Sequence, residues 1–352
     1  MAESHYYTSH EYFQHRFDEI ARQMKYPGTD PQSWQRTSRA KLVELLGLAT
    51  MKPCYPNLTY LEQETRHDLV LQKYLLSTEP SVQMPFYKIL PPGYKENGNR
   101  YPVVICPHGH GSGGKLSTTG DTRSFIKKAV EQYNYAYAIQ LAKAGFITFA
   151  PDARGFGERR ERLVQGDQEE QVLSSSCTYL NRIAIPLGQT VAGMWTWDLM
   201  RLLDFIQTEK DCDSQRIGCA GLSGGGLQTL YFAALDKRVQ CALISGYFYG
   251  VRDSLLDMNE NCSCNYIPHL WEYFDMGDIG GLIAPRPVMI ETGTEDTLNG
   301  IRGVENVTEQ IQIMQQVYEA MDSSKQVSHV IFEGDHRWYG EQAATWLHRC
   351  LD

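Results

Sequence analysis

From residue 101 onward the chain alternates short apolar runs with helix-length stretches. The runs fall at 103–106, 146–150, 217–220, 242–245, 288–290 and 329–332, and the longer connections include 189–210, 227–236 and 305–321. A continuous apolar run of this length suits a strand buried on both faces. Strands alternating with helices predict a mostly parallel central sheet covered by helices on both sides. Ligands of such sheets sit at the carboxyl ends of the strands. Upstream, residues 58–90 alternate and are rich in β-formers, which predicts an antiparallel meander of two or three strands, stopped at Pro91-Pro92-Gly93. Residues 1–57 read as polar helices with breaks. Leu42, Leu45 and Leu46 share one face of a helix expected over 38–48. The expected organisation is an N-terminal helical extension, 1–57, packed on a core domain, 58–352.

Two stretches break the repeating pattern. Residues 158–190 and 247–281 each follow a strand and are too long for simple connections. Insertions at such places build lids and pocket walls. Within them and beyond, residues 261–268, Trp271 and Trp338 are candidates to line a pocket, whereas Trp195, Trp197 and Leu202 lie in a helical run and suit core packing.

Composition narrows the partners. With 42% apolar and 21% charged residues the chain is ordinary globular material. A net charge of −9 disfavours nucleic acid and anionic membrane surfaces, so neither is an expected partner. The N-terminus lacks a basic region followed by an apolar one, and no apolar stretch is long enough to span a bilayer. A cytoplasmic protein is expected, with its nine scattered cysteines mostly reduced. Cys262 and Cys264 form the one close pair. No second Cys/His cluster of ligand spacing lies near them in sequence, and His269 is isolated, so no metal site is expected. His5, His10 and His15 recur every five residues, which does not place them on one helical face.

The run VVICPHGHGSGGKL, 103–116, admits two chemistries. Gly109, Gly114 and Lys115 fit the G-x-x-x-x-G-K of a phosphate loop, but Leu116 stands where a magnesium-holding hydroxyl is needed. His108-Gly109-His110-Gly111 instead suits a turn that presents backbone N–H groups to a developing oxyanion. The run RIGCAGLSGGG, 216–226, holds the one G-x-S-x-G of the chain, with an apolar strand before it and a helical run after it. That is the strand–turn–helix context of a nucleophile elbow at Ser223. Serine needs a base, and the base needs an orienting acid. His336 follows the last strand. Asp296 lies beyond the end of the strand before it and is preferred as acid over Glu295 and Glu291.

The segments PHGHG (107–111), DARGFGE (152–158), GLSGGG (221–226), LIAPRPVMIETGTED (282–296) and GDHRW (334–338) together resemble the α/β-hydrolases. The likeness is to their acetyl xylan esterase and dienelactone hydrolase-like branch. The resemblance implies an α/β-hydrolase fold and a serine carboxylester hydrolase. Such an enzyme removes small acyl groups, acetyl above all, from a sugar or similar alcohol through an acyl-enzyme. Its substrate would be a small ester, for instance an acylated carbohydrate, and no metal or organic cofactor would be needed. Ser223 would be the nucleophile, His336 the base and Asp296 the orienting acid. The backbone N–H groups of His110 and Gly224 would form the oxyanion hole, leaving Lys115 as a solvated loop residue. Arg154 would be held by carboxylates to fix the loop after its strand. Gly224 departs from the Gln often found after the nucleophile in the cephalosporin-C deacetylase group. Amide cleavage on the same triad, and a catalytically silent binding protein, are the alternatives.

Overall fold

The computed structural model describes residues 7–96, 98–257 and 261–352; His5 lies outside them. Among the described residues nine strands form one sheet: β1 (Thr59–Arg66), β2 (Leu69–Glu79), β3 (Val82–Leu90), β4 (Tyr101–Ile105), β5 (Ile147–Pro151), β6 (Cys212–Leu222), β7 (Cys241–Ser245), β8 (Val288–Gly293) and β9 (Val327–Phe332). Their order across the sheet is β1-β2-β3-β5-β4-β6-β7-β8-β9. The meander is antiparallel and does not stand apart: β3 continues into the central sheet by pairing antiparallel with β5. From β5 to β9 every pairing is parallel.

Period-two alternation sorts the strand side chains to two faces. Val103, Ile105, Ile147 and Phe149 join one apolar cluster. Val104, Cys106, Phe146 and Ala150 join the other. Helices cover both. Those used below are α1 (His10–Glu19), α2 (Pro31–Leu45), α3 (Tyr137–Lys143), α4 (Cys177–Ala184), α5 (Val191–Ile206), α6 (Gly224–Leu235), α7 (Val304–Ala320) and α8 (Ala343–Leu351). Residues of α2, α5, α6 and α7 pack in the first cluster, and residues of α3 and α8 in the second. Among the described residues no helix is long and apolar enough to cross a membrane.

Helix starts explain where expected and observed bounds differ. The helix expected over 38–48 begins seven residues earlier. Asp30 caps it by accepting from the Ser33 N–H at 3.0 Å, and Pro31 takes the first position, where a missing N–H costs nothing. Thr190 caps α5 by accepting from the Gly193 N–H at 3.0 Å. The helix expected from 227 begins at Gly224, in a glycine run that propensity alone would leave as turn.

Candidate active site

β6 ends at Leu222 and α6 begins at Gly224, so Ser223 alone makes the turn. Its φ of 60° and ψ of −121° are conformations that a residue with a Cβ rarely adopts. Surrounding bonds hold it there. The Ser223 N–H donates to the Ser245 carbonyl at the end of β7 (2.9 Å), and its own carbonyl accepts from Leu227 (2.9 Å). Packing leaves no alternative to glycine two residues to either side of it. A Cβ on Gly225 would collide with the Pro107 carbonyl oxygen, and one on Gly221 would lie 2.5 Å from the Gly225 backbone. The loop after β4 is thereby pressed against the start of α6.

His336 follows β9. Its Nδ1 lies 2.7 Å from Oδ2 of Asp296, a buried carboxylate whose other oxygen accepts from the Leu298 N–H at 2.9 Å. A carboxylate only accepts, so Nδ1 is the donor in this bond, and in the neutral ring Nε2 is the nitrogen left to accept. The ring rests over Gly246, where a Cβ would come 2.9 Å from Cε1. Gly246 directly follows Ser245, the residue that holds Ser223, so the end of β7 supports both side chains.

Ser223, His336, His110 and Gly224 line one cavity of about 310 Å³. Tyr133, Tyr135, Tyr247 and Tyr249 form much of its wall, and Asn261, Cys262 and Asn265 of the second insertion complete it. The Tyr135 hydroxyl donates to the His110 carbonyl at 2.7 Å, fixing that turn. As the first residue of α6, Gly224 has an N–H with no acceptor inside the helix. Burial pushes the neighbouring His108 down to about 4 and keeps it neutral; its Nε2 accepts from the Ala153 N–H at 3.0 Å.

The other acids face elsewhere. Glu295 is exposed, and its N–H donates to the Gly334 carbonyl. Glu291 is buried, its carboxylate accepting from the Gly340 N–H at 2.9 Å and pushed upward by burial. Neither lines the cavity.

Several expectations are corrected. Lys115 is not solvated: it is 2% exposed, with Nζ 2.6 Å from Asp152 Oδ2 and 2.9 Å from Glu158 Oε2. Against its own burial, Glu158 is pulled down to about 2 by Lys115 and Lys73. The lysine ties the loop after β4 to the loop after β5, and its charge is already committed, so it is not free for a phosphate. Trp338 is fully buried and stacks on Tyr137 with centroids 4.6 Å apart, so it is core and not pocket. Trp271, with Tyr266, Ile267 and Pro268, lines a different, apolar cleft of about 400 Å³ against α1. Arg154, by contrast, is held by carboxylates as expected, by Asp198 and Glu79, each at 2.8 Å. His269 pairs with Glu272 on the surface. Cys262 and Cys264 are not isolated: the His110 ring and Cys177 of the first insertion lie against them, from positions too far along the chain for spacing to reveal.

A serine strained at a strand–helix junction, sharing a cavity with an acid-paired histidine at the carboxyl ends of a mostly parallel sheet, defines the α/β-hydrolase class. The chain belongs to the Abhydrolase family, whose model matches residues 8–337. It is 27% identical over 280 residues to a candidate hydrolase, YtaP, of Bacillus subtilis (strain 168), covering 78% of this chain and 85% of that one. A candidate acetyl xylan esterase from Bacteroides fragilis NCTC 9343 superposes with a TM-score of 0.79 at 17% identity, over 100% of this chain and 97% of the other. A glucuronoyl esterase from Solibacter usitatus gives 0.69 at 14% identity, over 95% and 97%. An acetyl xylan esterase from Paenibacillus sp. R4 gives 0.58 at 16% identity, over 97% and 99%. At these identities the structural likeness speaks for the fold.

Proposed function

We propose that the protein is a serine carboxylester hydrolase that removes small acyl groups, acetyl foremost, from a sugar or similar alcohol. The observation that carries this is the strained Ser223 sharing one cavity with His336, whose Nδ1 is bonded to the buried Asp296. Ser223 Oγ attacks the acyl carbonyl while His336 Nε2 takes its proton. Asp296 keeps the ring in the required tautomer and stabilises the imidazolium. The tetrahedral oxyanion is met by the N–H groups of His110 and Gly224, which act on charge present only in the transition state. His336 returns the proton to the departing alcohol. It then activates the water that frees Ser223 from the acyl group.

The modest cavity, walled by tyrosines, favours a short acyl chain and a polar alcohol. The carbohydrate esterases among the similar structures support that substrate class. The test is kcat/KM on p-nitrophenyl esters of graded chain length for the wild type and five variants. Acetyl and propionyl esters should outrun octanoyl. Ser223→Ala and His336→Ala should each lose on the order of 10³-fold or more, with the double variant little worse, because triad members act as a unit. Asp296→Asn should also be severe and Glu295→Gln mild. An active Ser223→Ala would overturn the mechanism, and a preference for octanoyl would overturn the small-acyl assignment.

A further inference from the structure

Four donors converge beside the Ser223 cavity, and two of them, His110 and Cys262, line it. His110 comes from the loop after β4, Cys177 from the first residue of α4 in the first insertion, and Cys262 and Cys264 from the second insertion. The imidazole nitrogen and the three sulfurs all lie within 4.8 Å of one another. Cys264 Sγ is 3.5 Å and Cys177 Sγ 3.9 Å from His110 Nε2. In a tetrahedral zinc site, with Zn–S of about 2.3 Å and Zn–N of about 2.0–2.1 Å, neighbouring ligand atoms stand about 3.5–3.8 Å apart. A disulfide instead needs sulfurs about 2.05 Å apart, and all three cysteines are free thiols.

The donors are aimed and held. The His110 ring is set edge-on between Phe156 and Trp195, with centroids 5.0 and 6.3 Å away, and this turns Nε2 toward the sulfurs. Asn265 Nδ2 donates to the Cys262 carbonyl at 2.9 Å and lies 3.7 Å from Cys264 Sγ. Asn181 of α4 donates to the Ser263 carbonyl at 2.8 Å, stitching the two insertions together at the cluster. Ordinary buried cysteines behave as small apolar groups and have no need of an imidazole pointed into their midst.

We propose that His110, Cys177, Cys262 and Cys264 form a closed tetrahedral site for zinc. Three thiolates and one imidazole suit a soft cation and not magnesium or calcium. Four protein donors leave no open position, so the site is structural and offers the metal no direct part in chemistry. Loading it releases one proton from each cysteine thiol as the three Zn–S bonds form, while His110 binds through the lone pair of Nε2. The cation would clamp both insertions to the His110 turn. On the esterase reading given above, which this consequence rests on, that holds an oxyanion N–H in place.

Metal content of the full chain, expressed with zinc and purified under reducing conditions, tests the site without relying on activity. About one zinc per chain is expected in the wild type and in Ser223→Ala, whose changed side chain is no ligand. Near zero is expected in the Cys177→Ser/Cys264→Ser double variant, while Cys350→Ser, remote from the cluster, keeps its zinc. Should the double variant misfold, the wild type alone decides. Its metal-free form loaded with cobalt(II) should show the thiolate-to-cobalt charge-transfer absorption of a tetrahedral site, and removing the metal should lower Tm reversibly. A wild type without zinc and without that absorption, or with a disulfide among the three cysteines, overturns the proposal. Zinc present with an active Ser223→Ala would sink the hydrolase mechanism and leave the site standing. Triad-dependent hydrolysis by a zinc-free chain would do the reverse.

Discussion

Asp278 is a carboxylate kept where charge is costly. It is 1% exposed, and burial pushes it up to about 6 even though Arg22 donates to it at 3.1 Å. Between the ordinary carboxylate value and about 6 the folded chain therefore holds a proton that the unfolded chain has lost. The stabilising contribution is complete below that window and is lost as pH rises through about 6. Relative to Asp278→Asn, the wild type should gain about 2 kcal/mol on going from pH 7 to pH 4.5. Urea unfolding of both proteins at the two pH values reads this directly, and a constant difference would contradict it. At the same scale, the candidate triad was legible because each member sits at a strand end, where order along the chain maps onto position in space. Lys115 was misjudged because its partners, Asp152 and Glu158, lie in another loop. Cys177 was invisible as a partner of Cys264 for the same reason: only the folded insertions bring them together.

At the scale of elements, the apolar runs match every strand from β4 to β9; β4 to β8 are buried where the runs fall, because buried parallel strands cannot be built from polar residues, whereas β9, at the sheet edge, is only half-buried. Bounds were less legible where tertiary packing overrides propensity. The start of α6 is the clearest case: three glycines open a helix because the loop after β4 fills the space beside Gly224 and Gly225, and Ser245 and Tyr247 fill that beside Gly226. This makes Gly224 and Gly225 unequal despite their adjacency. An added Cβ at 225 meets the Pro107 backbone, which cannot step aside, whereas one at 224 meets the His110 ring at 3.0 Å. Gly225→Ala should cost stability toward the upper end of about 1–3 kcal/mol or beyond, and Gly224→Ala distinctly less. Thermal melts of the two variants compare them, and a Gly225→Ala protein melting with the wild type would show that the junction yields more than its packing suggests.

For the molecule as a whole, the extension at 1–57 is joined to the core by more than a linker. Trp34, Leu42, Leu46, Leu48 and Met51 belong to the same apolar cluster as Val103 and Leu202. Gln35 donates to the carbonyls of Gly281 (3.0 Å) and Ala284 (2.8 Å), and Arg39 donates to that of Ala234 (2.9 Å). The family match also begins inside the extension, at residue 8. We therefore propose one cooperative unit. Each large side chain withdrawn from such a cluster forfeits about 1.5–3 kcal/mol, and a domain has only about 5–15 kcal/mol to lose. Deleting 1–57 should leave no natively folded protein, and the full chain should unfold in one transition by calorimetry and circular dichroism alike. A soluble 58–352 fragment with a near-native melting temperature would show that the two parts are separable. Sequence texture places a boundary where helices give way to strands; on the one-unit proposal that change of element type would not be a change of folding unit.

The backbone of Ser223 carries a further consequence, for descent. A side chain at that φ costs about 1–3 kcal/mol. Glycine there is free of that strain and gives back only about 0.4–1 kcal/mol through a looser unfolded chain. Ser223→Gly should thus melt above Ser223→Ala, though both lack the hydroxyl; equal or reversed melting temperatures would show the strain to be fully absorbed by its surroundings. If the order holds, a serine at this position is maintained against a standing gradient toward glycine. Lineages that abandon the chemistry would slide down that gradient, so the residue at this one position would record whether a descendant still uses its site.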